Sequence, residues 1–247
     1  MPEKNSVKST TKNPSGVAKT TARLLLGKSL GFRDCKASTL DAIVDSGSVR
    51  VVGKGEELAR HGAPFKSMCL IIRGSLETSL LRPDGHRQLV GFLQAGDVVG
   101  IIGLLDGLGH VHDLRGREPE TTVLLIPSGA IPPLRDQDPK LGMAFELQLA
   151  FRSRLLYERL LADSSMSLES RLARLILTMM GLYGTHDEEG MRIALRISQV
   201  DLADWLGVSR QRINVAIQYL KGKRLIDLRY FTITVIDKPG LTLLAGS

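Results

Sequence analysis

Two cysteines, Cys35 and Cys69, are all that the 247 residues contain. They lie far apart with no Cys-x-x-Cys spacing, so the chain has neither a disulfide framework nor the thiolates for a metal knuckle or an iron–sulfur cluster. Aromatic residues are scarce, at 4% with one tryptophan, which argues against a surface that stacks many single-stranded bases. No run approaches the roughly 18 apolar residues a membrane-spanning helix needs. The best stretch, Val98 to Leu105, contains two glycines and ends at Asp106. The opening MPEKNSVKST sets polar and charged residues where a secretory signal carries an apolar segment, so a cytoplasmic location is expected. Acid is the minority charge: 33 Lys and Arg stand against 26 Asp and Glu, a net charge of +7. That balance favours a polyanionic partner, and duplex DNA fits best.

The chain changes texture along its length. Residues 1–22 hold Lys4, Lys8, Lys12 and Lys19 among Ser, Thr, Asn and Pro, with little to bury, and read as a disordered basic arm. Residues 23–138 form a sensor-like β domain. Its runs VRVV, MCLII, SLETSLL and QLVGFL are short, β-rich and punctuated by turns, among them Pro83-Asp84-Gly85, where proline presets the turn and glycine accepts positive φ. Such spacing predicts a β-roll or jelly roll. Residues 139–163 switch to a helical period, with Leu141, Ala144, Leu147, Phe151 and Leu155 on one stripe and Leu149, Leu156 and Leu160 on a second. Two apolar faces exceed what packing on one domain needs, so this helix is expected to form a dimer seam with a second copy. Residues 164–247 then begin with a helix carrying Leu168, Leu172, Leu175, Ile176, Met179 and Tyr183, stopped by Gly184 and a polar loop THDEEG. The expected fold class is α+β: an N-terminal β-roll, a long dimerisation helix and a C-terminal winged helix-turn-helix.

The segment ISQVDLADWLGVSRQRINVAIQYLKGKRLI carries the most information. Ser198 with Asp201 three residues on is a capping box, and Val200, Leu202, Ala203 and Leu206 supply a short apolar helix. Gly207 ends it, Val208 turns into the core, Ser209 caps a second helix, and Ile213, Ile217 and Leu220 form that helix's buried stripe. Two helices joined by so short a turn make a helix-turn-helix. The candidate DNA-binding residues are Ser198, Gln199, Ser209, Arg210, Gln211, Arg212 and Asn214. Arg, Gln and Asn at the start of the second helix can bond guanine, adenine and phosphate at a major-groove edge, and the helix N-terminus with the Ser209 hydroxyl can hold a phosphate. Lys221, Lys223, Arg224 and Arg229 add charge against Asp227 alone, and LIDL with TITVI read as a two-stranded wing.

The order β-roll, long helix, winged helix, and in particular LGVSRQRINVAIQYL and IIRGSLETSLL…PDGHRQLVGFLQAGDVVGIIGLLDG, resembles the Crp/Fnr family of bacterial transcription regulators over roughly residues 30 to 238. The resemblance implies a homodimer with a cyclic-nucleotide-binding-like domain and winged helices that read a palindromic site in double-stranded DNA. RNA polymerase is a further partner it admits, and a membrane partner is not expected. It also implies where this chain departs from cyclic-nucleotide binders. Their Gly-Glu cassette corresponds to Val99-Gly100-Ile101-Ile102-Gly103-Leu104, where Ile101 takes the acid's place. Val111-His112 stands in for the Arg-Ser or Arg-Thr pair that holds the cyclic phosphate. Classical cAMP binding is therefore not expected, and the oxygen-sensing branch needs four cysteines where two exist. No cofactor is expected, although haem through a histidine stays open. The candidate ligand residues are Gly100, Arg115 and Arg117, the two arginines suiting another anion such as a cyclic dinucleotide.

Two alternatives from other classes remain: a ligand-binding module that acts on protein partners without DNA, and a cupin-like metal enzyme. For the enzyme, His110, His112 and Glu118 resemble a first ligand motif, but the spacer is too long and Pro132 stands where Pro127-x-Gly129 should lead to a histidine. The reading is a regulator and not an enzyme.

Overall fold

The computed structural model describes residues 14–81, 85, 87–162, 166–187, 190–193 and 195–246. They form two compact units: one of residues up to Ser79 with Phe92–Ala150, the other of Leu80–Gly91 with Phe151–Ser247.

In the first unit, helices α1 (Pro14–Leu26) and α2 (Ala37–Ser46) precede strands β1 (Ser48–Val52), β2 (Glu57–Ala59), β3 (Ser67–Arg73), β4 (Ser75–Leu81), β5 (Arg87–Gln94) and β6 (Val98–Val99). Helix α3 (Ile101–Asp106), β7 (Asp113–Gly116), β8 (Thr121–Pro127), α4 (Ile131–Gln137) and α5 (Lys140–Ala162) complete the series; α5 crosses the unit boundary between Ala150 and Phe151, β4 between Ser79 and Leu80, and β5 between Gly91 and Phe92. The strands make two four-stranded sheets, ordered β1-β8-β3-β6 and β2-β7-β4-β5. Val52, Cys69, Ile71 and Val123 of the first sheet pack against Leu58, Leu76, Leu93 and Leu114 of the second. The opposite face of the first sheet, through Met68, Leu70, Ile72, Leu124 and Ile126, packs on Ala22, Leu26, Ile43, Leu141 and Phe145 from the helices. A strand buried on both faces needs no polar alternation, which explains why MCLII is apolar throughout. The jelly-roll expectation holds, with a layer of helices added.

The arm differs from its expectation. Residues 1–13, with Lys4, Lys8 and Lys12, lie outside the described residues, but residues 14–22 belong to α1, which buries Ala22 and Leu26. Ala18, Ala22 and Leu26 recur at four-residue spacing, a stripe short enough to be hidden among polar neighbours. Pro83 and Asp84 also lie outside the described residues, while Gly85 has the positive φ its turn position requires.

The second unit contains α6 (Leu168–Tyr183), β9 (Gly184–Asp187), β10 (Gly190–Ile193), α7 (Gln199–Leu206), α8 (Arg210–Gly222), β11 (Ile226–Arg229), β12 (Thr232–Val235) and α9 (Lys238–Leu244). Its sheet runs β11-β12-β10-β9. Part of the expected polar loop is therefore strand: Gly184–Asp187 pairs antiparallel with Gly190–Ile193. Polar residues serve on an edge strand that has water on one side. Met179 and Met180 are both buried, as packing residues.

Candidate nucleic-acid interface

The helix-turn-helix is assembled from local signals. Ser198 Oγ accepts from Asp201 N at 3.1 Å while Ser198 N donates to Asp201 Oδ2 at 3.0 Å, a reciprocal capping box. Gly207 ends α7 in the left-handed region at φ 66°, and Ser209 Oγ accepts from Arg212 N at 3.4 Å to start α8. Leu202, Ala203 and Trp205 of α7 are buried, as are Ile213, Ala216, Ile217 and Leu220 of α8. Val200, read above as a core position, is 45% exposed, and Trp205 takes its place in the core. An eight-residue helix has few turns over which to resolve its phase.

The candidate residues separate into two groups. Arg210, Gln211 and Arg212 are exposed and, among the described residues, make no side-chain hydrogen bond or ion pair. Asn214 is also exposed, and its Oδ1 accepts from Gln199 Nε2 at 3.3 Å, so these two amides brace α7 against α8. The Ser198 and Ser209 hydroxyls serve as caps. Downstream, Asp227 offsets more of the basic charge than a residue count suggests: Lys221 Nζ lies 3.2 Å and Arg229 Nε 2.5 Å from its carboxylate. Burial raises the Asp227 pKa, but the hydrogen bonds from Lys221 and Leu228 N and the Arg229 charge outweigh it and hold the group below the usual carboxylate range.

The candidate ligand residues of the β-roll are engaged differently. Gly100 has φ +92°, and a Cβ there would lie 2.5 Å from Ser67 O. Its absent side chain is thus required by the turn into α3. Ile101, in the position of the missing acid, is buried in the helix-covered core. Arg115 sits in strand β7, with Nη2 3.1 Å from Glu57 Oε2. Arg117 lies over the Phe92 ring, 3.9 Å from its centroid. An anion at these arginines would have to compete with Glu57.

The histidine motif does not gather as a metal set. His110 is buried, and its Nδ1 lies 2.7 Å from the His112 carbonyl oxygen. A carbonyl only accepts, so the shorter contact puts the proton on Nδ1, and the approach of His112 N to the same nitrogen, at 3.3 Å, is the weaker of the two; Nε2 has no hydrogen-bond partner among the described residues. Burial holds the His110 pKa below its ordinary value. Glu118 Oε1 accepts from Ser75 Oγ at 2.9 Å. Among the described residues no three His, Cys, Asp or Glu side chains are placed to hold a metal ion.

Comparison with known proteins defines the class. Residues 42–138 match the cyclic nucleotide-binding domain and residues 170–244 the Crp-like helix-turn-helix domain. The chain is 26% identical to Electron transport regulator A of Shewanella oneidensis over 209 residues, 84% of this chain and 82% of that one. It is 25% identical over 226 residues to the transcriptional activator protein Anr of Pseudomonas aeruginosa, covering 91% and 90%. Among solved structures, FixK2 from Bradyrhizobium japonicum superposes with a TM-score of 0.72 at 20% identity, over 81% of this chain and 98% of that one. The c-di-GMP-responsive regulator CLP of Xanthomonas campestris gives 0.67 at 20% identity, over 82% and 100%. A cyclic-nucleotide-binding-like β-roll thus precedes a DNA-binding winged helix-turn-helix in one chain. The chain belongs to the Crp/Fnr family, whose members are transcription regulators and not enzymes. No described helix is long and apolar enough to cross a membrane.

Proposed function

We propose that this regulator acts in the cytoplasm as a homodimer that binds a palindromic duplex site and responds to a small effector other than cAMP. The observation that carries DNA reading is the exposed start of α8, where Arg210, Gln211 and Arg212 are held by a capped helix yet bonded to nothing else described. For the homodimer, support comes from α5. Leu141, Ala144 and Phe145 are buried in the first unit, whereas Met143, Leu147 and Phe151, spaced by four, are 55%, 37% and 40% exposed. A second copy of the helix would cover that stripe, and two-fold symmetry would impose a palindrome on the DNA.

Ile101 supports the exclusion of cAMP, because a buried isoleucine offers a ribose hydroxyl no acceptor. A cyclic dinucleotide is the second reading, favoured by Arg115 and Arg117 and by the fold shared with CLP. RNA polymerase is the partner through which a DNA-bound regulator of this kind would act. Enrichment of duplexes from a random library by the full chain, with light scattering of the same preparation, tests the main reading. A two-fold symmetric motif and a dimer are expected. A monomer at micromolar concentration, or a motif without symmetry, overturns it. Calorimetry with cAMP and with c-di-GMP tests the effector, and a micromolar cAMP isotherm overturns the exclusion.

A further inference from the structure

Helix α8 places an apolar side chain where a DNA-reading helix makes its contacts. At about 100° per residue, the buried residues Ile213, Ala216, Ile217 and Leu220 span one side of the helix. Counting from Arg210, their centre falls at about 290° and the centre of the exposed face at about 110°. Gln211 at about 100°, Val215 at about 140° and Gln218 at about 80° lie along that exposed centre. All three are exposed, Val215 by 66%. None is charged. The cations flank them: Arg210 and Lys221 at about 0° and 20° on one side, Arg212 at about 200° on the other. Lys223 joins the Arg212 side, its Nζ 5.9 Å from the Tyr219 ring centroid.

Two basic edges with an uncharged strip between them match a helix lying in a major groove, with a phosphate strand on each side and base edges beneath. Valine is a poorer helix former than alanine, lysine or arginine, so an exposed valine in the middle of this face adds nothing to the stability of the helix itself. In the major groove the one apolar group that distinguishes a base pair is the thymine C5-methyl.

We infer that Val215 is a specificity-determining residue that packs on the C5-methyl of one thymine in each half-site, one helical turn beyond the base pair read by Gln211. The inference rests on the site-specific DNA reading proposed above. Gln211 is suited to adenine, bonding N6 and N7 with its amide. Each half-site therefore holds an adenine and, on the side toward the C-terminal end of α8, a thymine.

Replacing thymine by deoxyuridine removes the methyl and leaves every hydrogen-bonding group in place, so the test needs no change in base pairing. The full chain first selects its site from random duplexes, and each thymine of one half-site is then exchanged in turn. One position should weaken binding by about fourfold, the effect of withdrawing one buried methyl. Val215→Ala should bind thymine and deoxyuridine alike at that position, and Val215→Ile should keep the discrimination. Because Val215 is exposed and alanine favours helix, the Ala variant folds. Deoxyuridine tolerated at every position, or discrimination that survives in Val215→Ala, overturns the inference while leaving site-specific binding intact. A chain that enriches no duplex overturns both.

Discussion

The two units use polar side chains in opposite ways. In the first, the polar groups proposed as ligands have protein partners: Arg115 is paired with Glu57, Arg117 lies over Phe92, and His110 donates to His112 O. In the second, the caps and the Gln199–Asn214 bridge consume the supporting polar groups and leave Arg210, Gln211 and Arg212 outward. A surface that must meet phosphate and base edges keeps its donors unspent, because a donor already bonded within the protein gains less from a ligand. In the β-roll the surplus is small: Arg115 keeps one buried donor, Nε, without a partner while its Nη2 is held by Glu57, so an anion there meets a carboxylate already in place.

Substituting glycine tests the structural side of this contrast most severely. Gly100→Ala puts a Cβ 2.5 Å from Ser67 O at φ +92°, and the first unit should lose about 3 kcal/mol of stability. Hydrogen exchange in β3 and β6 against urea measures it, and an unchanged midpoint would show that the turn relaxes freely. Arg210→Ala should leave that exchange untouched while weakening the selected site by about 2 kcal/mol and relaxing base preference at one symmetric position. Uniform weakening over all sequences would make Arg210 a phosphate contact, and an unchanged motif would remove it from the interface.

Legibility followed the range of the signals. Capping box, Gly207, Ser209 and the stripe Ile213, Ile217, Leu220 lie within about one to three helical turns of each other, and each was readable before any long-range contact was known. Trp205 against Val200 was not, because the buried side of so short a helix is set by what packs on it. In the first unit the strands β1, β3, β4 and β5 were visible as β-rich runs. Glu57–Ala59 and Asp113–Gly116 were not, since their pairing, Glu57 with Arg115, joins residues far apart in sequence and leaves no local trace. The same gap hid the carboxylate partner of Arg115. Val215 carries no such local mark, because a single apolar residue off the buried stripe is ordinary on a helix surface.

His110 offers a way to sharpen the contrast by pH. Burial holds its pKa below the ordinary 6.5; His61 adds to the depression, while the bond to His112 O and the charge of Asp113 oppose it. The unfolded chain therefore takes up the proton first as pH falls. Stability is complete above the unfolded value and declines below about pH 6.5, by up to about 1.4 kcal/mol per pH unit until the folded group also protonates. His110→Phe, which keeps an aromatic ring beside Phe65, should flatten the decline in urea midpoints between pH 7 and 5. A decline of equal slope in the variant would assign the proton elsewhere.

The smallest effect lies at the wing, where the second unit departs from its own economy of local rules. Arg229 pairs with Thr232, leaving Tyr230 and Phe231 as a two-residue hairpin loop with φ of 48° and 67°. Loops of that shape favour Asn-Gly, because a bulky side chain in the left-handed region costs about 1 kcal/mol. Tyr230 is 91% exposed and so gains little from packing in return. Phe231 is better held: its carbonyl accepts from Ile197 N at 2.8 Å and Arg196 lies over its ring. Tyr230→Gly removes the steric cost but adds freedom to the unfolded chain, and the two terms offset in part. A net gain of about 0.5 kcal/mol is expected as a higher urea midpoint. Phe231→Gly should lose stability instead, since it gives up the ring contact. If both variants gain, the aromatic pair contributes nothing to the folded wing; if both lose, the exposed tyrosine has a partner in the native ensemble that outweighs its strain.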